Sequence, residues 1–192
     1  MALYPDFPLQ TARLRLRPFT RGDIDAVFDY RRREDVAQFL FDVALSRDEC
    51  ALAVQQRIGQ VAFESEGDKI IVAVELLETG QIIGEMSLIW RSADNRQAEI
   101  GWIFHPTYQG KGYATEASEA LFALAFGPGD IHRVMARCDT GNERSWRLME
   151  RLGMRREAHF REHALVKGSW DEEFIYAILW QEWRKRQSAG AA

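Results

Sequence analysis

Apolar and polar residues alternate with period two over Arg13-Leu14-Arg15-Leu16-Arg17, which predicts a strand with one wet and one buried face, limited by Pro18. From Thr20 the period changes. Thr20 and Asp23 read as a helix start, and Ile24, Val27 and Phe28 follow at helical spacing. Ser46-Arg47-Asp48-Glu49 has the form of a capping box opening a second helix, with Ala51, Val54, Ile58, Val61 and Ala62 as its apolar stripe. Phe39-Leu40-Phe41 makes an apolar connection between the two. The runs from Ile70 to Leu77, Ile82 to Trp90 and Ala98 to Phe104 predict an antiparallel meander, its first hairpin turning at Glu78-Thr79-Gly80-Gln81.

Helical spacing returns at Ala114, Ala117, Leu121 and Leu124 and stops at Gly127-Pro128-Gly129. A strand is expected from His132 to Cys138. A fourth helix is capped by Asn142, carries Leu148, Met149 and Leu152 on one side, and closes at Gly153. Two last strands, Arg155 to Val166 and Glu172 to Trp180, flank a turn at Lys167-Gly168-Ser169-Trp170. Residues 184–192 are expected to fray as a flexible tail.

With 192 residues, 46% of them hydrophobic and 28% charged, the chain suits one domain with a sizeable core, spanning 1–192 with its core at about 9–183. No apolar run approaches the roughly 20 residues that cross a bilayer, and the start lacks the order of a signal peptide, so a cytoplasmic protein without a membrane partner is expected. Cys50 and Cys138 lack the spacing of a zinc or redox pair and are expected as reduced thiols. The net charge of -4 argues against a nucleic-acid partner that needs a broad basic surface. The cluster Arg31-Arg32-Arg33 reads as a solvated helix face.

The most informative stretch is Tyr108-Gln109-Gly110-Lys111-Gly112-Tyr113-Ala114, which joins an apolar strand to a helix. Backbone amides at a helix start lack intrahelical acceptors and stand at the positive end of the peptide dipoles, so an anion is stabilised there. Glycines at Gly110 and Gly112 let phosphate oxygens approach those amides. The spacing excludes a P-loop, because no Gly-Lys-Ser/Thr follows at the required distance. It also excludes the dinucleotide fingerprint, because Thr115 stands where a third glycine belongs.

Gln109-x-x-Gly112-x-Ala114 resembles the pyrophosphate signature of the GNAT acetyltransferases, which bind acetyl coenzyme A. Asn142-Glu143-Arg144-Ser145, followed by a hydrophobic helix and Leu152-Gly153-Met154, resembles a second segment of that superfamily, with Met154 in place of the usual Phe. Leu14-Arg15-Leu16-Arg17-Pro18, Ala98-Glu99-Ile100-Gly101-Trp102 and Gly168-x-Trp170-x-Glu172-x-x-x-Tyr176 are similar to the RimJ/RimL branch, named for acetylation of ribosomal-protein N-termini. The likeness implies an α+β fold: a mixed, mostly antiparallel, twisted sheet of about seven strands with about four helices. It implies acetyl-CoA as co-substrate, a primary amine as acceptor on a protein N-terminus or a small molecule, and dimers in many members. A non-catalytic acyl-CoA sensor, or an enzyme using another donor such as succinyl-CoA, shares the same signature. Nucleotide-dependent phosphoryl transfer is a further rival, but the sequence lacks a Mg²⁺-binding constellation for it.

Two residues are catalytic candidates. Glu99 shares a strand face with Gly101 and Ile103; an amine that attacks a thioester must lose a proton, and the resemblance implies that an acid at this position takes it. The plain alternative is a strand glutamate paired with arginine. Ser145 faces inward with Leu148, Met149 and Leu152, which suits a hydroxyl bonded to the leaving sulfur, or one bonded to a carbonyl of its own helix. For the cofactor, amides of Gly110, Lys111, Gly112, Tyr113 and Ala114 are expected to hold the diphosphate, with Lys111 as a screened charge. Gln109 belongs to the same signature. The resemblance adds Asn142, otherwise a helix cap, and the backbone of Trp102, Ile103 and Phe104, otherwise core, as the edge that meets the pantetheine arm where two strands splay. Phe39, Phe41, Trp90 and Trp170 are candidates for an acceptor pocket, against the commoner role of aromatics as core. His105, His132, His159 and His163 have no metal-ligand spacing, and no nucleophile elbow is present, so neither a metal nor a covalent intermediate is expected.

Overall fold

The computed structural model describes residues 2–40 and 43–190. Phe41, one of the acceptor-pocket candidates, lies outside them. Eight strands form one sheet: β1 (Leu9–Gln10), β2 (Leu14–Pro18), β3 (Lys69–Leu76), β4 (Ile82–Ser92), β5 (Gln97–Phe104), β6 (Arg133–Asp139), β7 (Arg155–Val166) and β8 (Ser169–Leu179). They lie in the order β1-β2-β3-β4-β5-β6-β8-β7. Every neighbouring pair is antiparallel except β5 and β6. The helices among the described residues are α1 (Ile24–Arg31), α2 (Glu34–Ala37), α3 (Arg47–Ile58), α4 (Tyr113–Phe126), α5 (Glu143–Arg151) and α6 (Trp180–Gly190).

Strand alternation sorts the core into two layers. One face of the sheet, with Leu14, Leu16, Val72, Val74, Met86, Leu88, Ala98 and Ile100, buries α4 through Ala117, Leu121 and Phe122 and α5 through Leu148 and Met149. The other face, with Ile71, Ala73 and Ile103, packs against Val27 and Tyr30 of α1 and Cys50 and Val54 of α3. The sheet is therefore covered on both sides, with α4 and α5 on the face opposite to α1 and α3.

Local signals explain most boundaries. At Ser46 the capping box forms as expected, with the Glu49 amide donating to the Ser46 hydroxyl and the Ser46 amide to the Glu49 carboxylate at 2.8 Å. Gly153 takes the left-handed conformation (φ +78°) that ends α5. Three expectations need correction. The stripe of the second helix does not reach Val61 and Ala62: α3 ends at Ile58, and Val61 instead makes an isolated bridge to Ile70. The connection around Phe39 is preceded by the short α2. The chain end does not fray before Gly190, because α6 is tied to α4: Trp183 Nε1 and Gln187 both donate to Glu119 at 2.9 Å, and Arg186 bonds the Leu152 carbonyl.

An ionic staple joins the sheet to α1. Arg17 grips both oxygens of Asp23, at 2.8 and 2.9 Å, while its Nε bonds Glu75 at 2.7 Å. Burial alone would push the Asp23 carboxyl up, but bonds from Arg17 and from the Thr20 amide outweigh it and hold the group below its ordinary value. A carboxylate lowered on folding adds stability above its unfolded value of about 3.9 and loses it as pH falls through the lower folded value. Asp23→Asn should therefore cost about 1–3 kcal/mol in urea unfolding at pH 7. The gap to wild type should shrink as the pH approaches 3, and a gap that stays constant with pH would refute the assignment.

Candidate active site

The site begins with a parting of strands. β5 and β6 are paired over Gln97–Glu99 and Arg133–Met135 only, yet β5 continues to Phe104 and β6 to Asp139. Beyond Glu99 the two diverge, and the β5 edge carrying Ile100 to Phe104 faces a gap where its partner should be. Trp102 and Ile103 are half-buried there and Phe104 is buried. A Gln109 bridge spans the mouth of the fork. Its Nε2 donates to the Phe104 carbonyl at 2.9 Å, and its Oε1 accepts from Arg144 of α5 at 2.7 Å.

The glycine loop sits at that mouth. Gly110 and Gly112 both have positive φ, +77° and +81°, which turns the chain so that Gly112 becomes the N-cap of α4. A Cβ on Gly110 would meet nothing within 4 Å, while one on Gly112 would meet Arg13 Nη2 at 3.4 Å. The loop is therefore open at Gly110, and Arg13 is the side chain nearest Gly112 at the start of α4, where first-turn amides lack intrahelical acceptors. Arg13 adds a cation: Nη1 bonds the Lys111 carbonyl at 3.1 Å, Nε bonds Glu116 at 2.7 Å, and the guanidinium lies 4.5 Å over the Tyr113 ring. Lys111 Nζ lies 5.3 Å over Tyr108. Open backbone, a helix start and two cations fit a diphosphate.

Across the fork, α5 starts next to the end of β6. Asn142 is an N-cap whose Oδ1 accepts from the Ser145 amide at 3.1 Å, leaving the side-chain NH₂ as a donor. Ser145 is buried, and its hydroxyl contacts the Cys138 thiol on β6. Burial pushes that thiol up to about 12, against a partial lowering by the serine.

On the other sheet face Glu99 lies at the apex of the fork. It is buried but does not sit among apolar groups: Arg91 bonds Oε2 through Nε at 2.8 Å and Nη2 at 2.6 Å, and Arg137 Nε reaches Oε1 at 3.2 Å. Arg137 Nη1 stands 3.6 Å from Glu173 Oε1, and His163 Nε2 stands 3.4 Å from Glu173 Oε2. The fold thus gathers Glu99, Arg137, Glu173 and His163 from four strands.

The aromatic candidates divide. Phe39 lies over the β6–α5 loop, where a Cβ on Gly141 would meet its Cε1 at 3.6 Å. Lys167 Nζ bonds the Ala37 carbonyl at 2.7 Å, so the β7–β8 turn meets α2 beside it. Trp90 belongs to the core instead, stacked on Phe63 at 5.7 Å on the α4 side of the sheet. Trp170 is 63% exposed on the β7–β8 hairpin opposite Leu165. Sequence reasoning missed Arg13, Arg91, Arg137, Arg144, Glu173 and His163, whose partners lie on other strands or helices. Arg13, as the residue before the Leu14 motif, and Arg144, inside the Asn142–Ser145 segment, carried a signal by position alone. Among the described residues no group of His, Cys, Asp and Glu could hold a metal ion, and no helix is long and apolar enough to cross a membrane.

A mixed sheet that opens between two parallel strands, with a glycine turn and a helix start at the mouth, has room and chemistry for an anionic, extended ligand. Known proteins agree. The family described as "Acetyltransferase (GNAT) domain" matches residues 13–155, and the chain belongs to that family. It is 32% identical over 175 residues to the uncharacterized N-acetyltransferase YnaD of Bacillus subtilis (strain 168), covering 91% of this chain and 98% of that protein. It is 27% identical over 132 residues to the [ribosomal protein uS5]-alanine N-acetyltransferase of Escherichia coli (strain K12), covering 67% of this chain and 68% of that enzyme. The crystal structure of a GNAT-family acetyltransferase from Bacillus anthracis superposes with a TM-score of 0.82 at 30% identity, over 92% of this chain and all of that one, 100%. The protein is a GNAT acetyltransferase, a family of acyl transfer to amines that generally uses acetyl-CoA.

Burial also raises the Cys50 thiol. Neither of the 2 cysteines should react rapidly with a disulfide reagent in the native protein at pH 8, and both should react once denaturant unfolds it. A fast native thiol that is lost in Cys138→Ala would contradict the burial of the Cys138–Ser145 contact, and one lost in Cys50→Ala would contradict the burial of Cys50.

Proposed function

We propose that the protein transfers the acetyl group of acetyl-CoA directly to a primary amine while both are bound. The observation that carries this reading is the fork between β5 and β6, with the Gly110–Gly112 cradle at its mouth and Glu99 at its apex. Acetyl-CoA supplies an activated thioester. The amides of Gly110 to Ala114, with Arg13 and Lys111, hold the diphosphate. The open edge of Trp102, Ile103 and Phe104 aligns the pantetheine arm as an added strand would align. Free β5 amides past Glu99 stabilise charge that develops on the carbonyl oxygen. Asn142 and Ser145 approach the sulfur from α5, and the Ser145 hydroxyl donates a hydrogen bond to the departing thiolate. Holding both partners makes the attack effectively intramolecular.

Glu99 organises the acceptor side by fixing Arg91 and Arg137, so that neither guanidinium is free to repel a cationic amine. The acceptor enters past Phe39, beside the contact that Lys167 of the β7–β8 turn makes with α2. Primary amines at protein N-termini are the favoured class, in keeping with the 27% likeness to the uS5-alanine enzyme.

Two substitutions test the reading. Gly112→Trp should fill the cradle and abolish coenzyme A binding in calorimetry, while the protein stays folded with thermal unfolding lowered by several degrees, because the position is exposed but a side chain at φ +81° is strained; retained affinity would refute the cradle. Glu99→Gln should lower turnover about tenfold or more with a panel of N-terminal peptides and small amines, with the coenzyme A dissociation constant within about twofold of wild type. Unchanged turnover across neutral pH would remove Glu99 from the site.

A further inference from the structure

Glu173 is the buried carboxylate that the fold has least reason to keep. It lies on β8 opposite Asp139 of β6, one strand beyond the fork, and only 3% of it is exposed. An isolated buried carboxylate is costly, so its surroundings must either pair it or use it. Its pairing is loose. Arg137 approaches Oε1 at 3.6 Å but is bonded more closely, at 3.2 Å, to Glu99. The other approach, by His163 to Oε2 at 3.4 Å, depends on an irregularity in β7. Phe160 pairs with Glu173 and Ala164 with Asp171, so Arg161, Glu162 and His163 together oppose the single residue Glu172. Glu162 takes a left-handed φ of +48° within that bulge. Bulges re-aim side chains, and this one brings His163 to Glu173 while a third of the histidine side chain, 32%, stays exposed.

We propose that Glu173 and His163 form a proton exit from the acceptor site, with Glu173 receiving the proton of the acceptor amine and His163 passing it to solvent. The inference rests on the acetyl-transfer reading. In the step, an N–H bond of the attacking amine breaks as an O–H bond forms on Glu173. That O–H then breaks as Nε2 of His163 takes the proton, and the imidazolium gives it to water. The carboxylate is restored for the next turnover, and no electrons change hands.

Charge around the pair is consistent with this use. Burial is the largest influence on Glu173 and raises it; Arg137 of β6 and His163 of β7 oppose that, while Asp171 on its own strand and Glu99 on β5 add to it. The net shift is upward. Asp139, opposite it on β6, is raised as well, chiefly by burial. A carboxyl moved toward neutrality is better matched to proton transfer than one at its ordinary value. Glu99, with both oxygens taken by guanidinium donors, instead positions Arg137 between the two acids.

The test is the pH dependence of thiol release by the full chain, using acetyl-CoA and whichever panel amine wild type acetylates fastest. Wild type should lose activity on the acid side as Glu173 is protonated. Glu173→Gln should lower kcat about tenfold or more and abolish that acid limb, with the acetyl-CoA KM within about twofold of wild type. His163→Gln should lower kcat by a smaller factor that added imidazole restores, a response that a purely structural role would not give. Wild-type kcat and an unmoved acid limb in Glu173→Gln would overturn the proposal, as would a His163→Gln loss indifferent to imidazole. If no amine is turned over by wild type, the acetyl-transfer reading itself has failed. The His163 ring protons, followed by NMR, then decide on the pair: a titration that changes when Glu173 becomes Gln supports it, and identical titrations overturn it.

Discussion

The structure depends on a hydrogen-bonding ladder that stops early. After Glu99 and Met135 the parallel strands β5 and β6 part, and each keeps its other neighbour, β4 or β8. Buried backbone groups need partners, so an unpaired stretch inside a sheet is tolerated only where something else supplies the bonds. That constraint makes the local break the place where an extended ligand could supply the missing bonds. The bridge of Gln109 between Phe104 and Arg144 holds the gap at a fixed width from its open end.

Two sheet faces meet at this gap with different chemistry. On the α4 side, helix starts and positive-φ glycines present amides, and the one buried hydroxyl of α5 stands against a thiol. On the α1 side, strands β2 to β6 and helix α3 carry charged pairs in layers: Arg15 and Arg17 on Glu75, Arg57 on Glu85, and Arg91 and Arg137 on Glu99. Such pairs gain little net stability, because desolvation offsets most of the attraction. Their value is in setting direction: each carboxylate is held by at least one fixed guanidinium, and the row ends at the fork. A donor bound on one face and an acceptor admitted on the other would meet only where the strands have separated.

Much of this was legible in the chain. Period-two alternation placed β2 to β5, capping chemistry placed the starts of α3 and α5, and Gly110 and Gly112 marked the left-handed turn into α4, because each rests on residues close in sequence. The errors have the same cause read in reverse. Trp90 looks like any exposed-pocket aromatic until the register with Ala98 puts it on the core face against Phe63. Residues 184–190 look like a polar tail until Trp183, Arg186 and Gln187 find Glu119 on α4.

The sequence by itself determined most of the elements, the family and the glycine turn that opens α4, since those follow from local periodicity, backbone freedom and short motifs. Tertiary structure alone decided where β5 and β6 part, that Arg13 reaches the glycine loop from across the sheet, and that Glu99 is clasped by Arg91 and Arg137. It also brought Glu173 within reach of His163 through a bulge that no pattern announces. These are contacts between residues far apart along the chain, fixed by strand order and register, and electrostatics becomes specific only once register has set the distances.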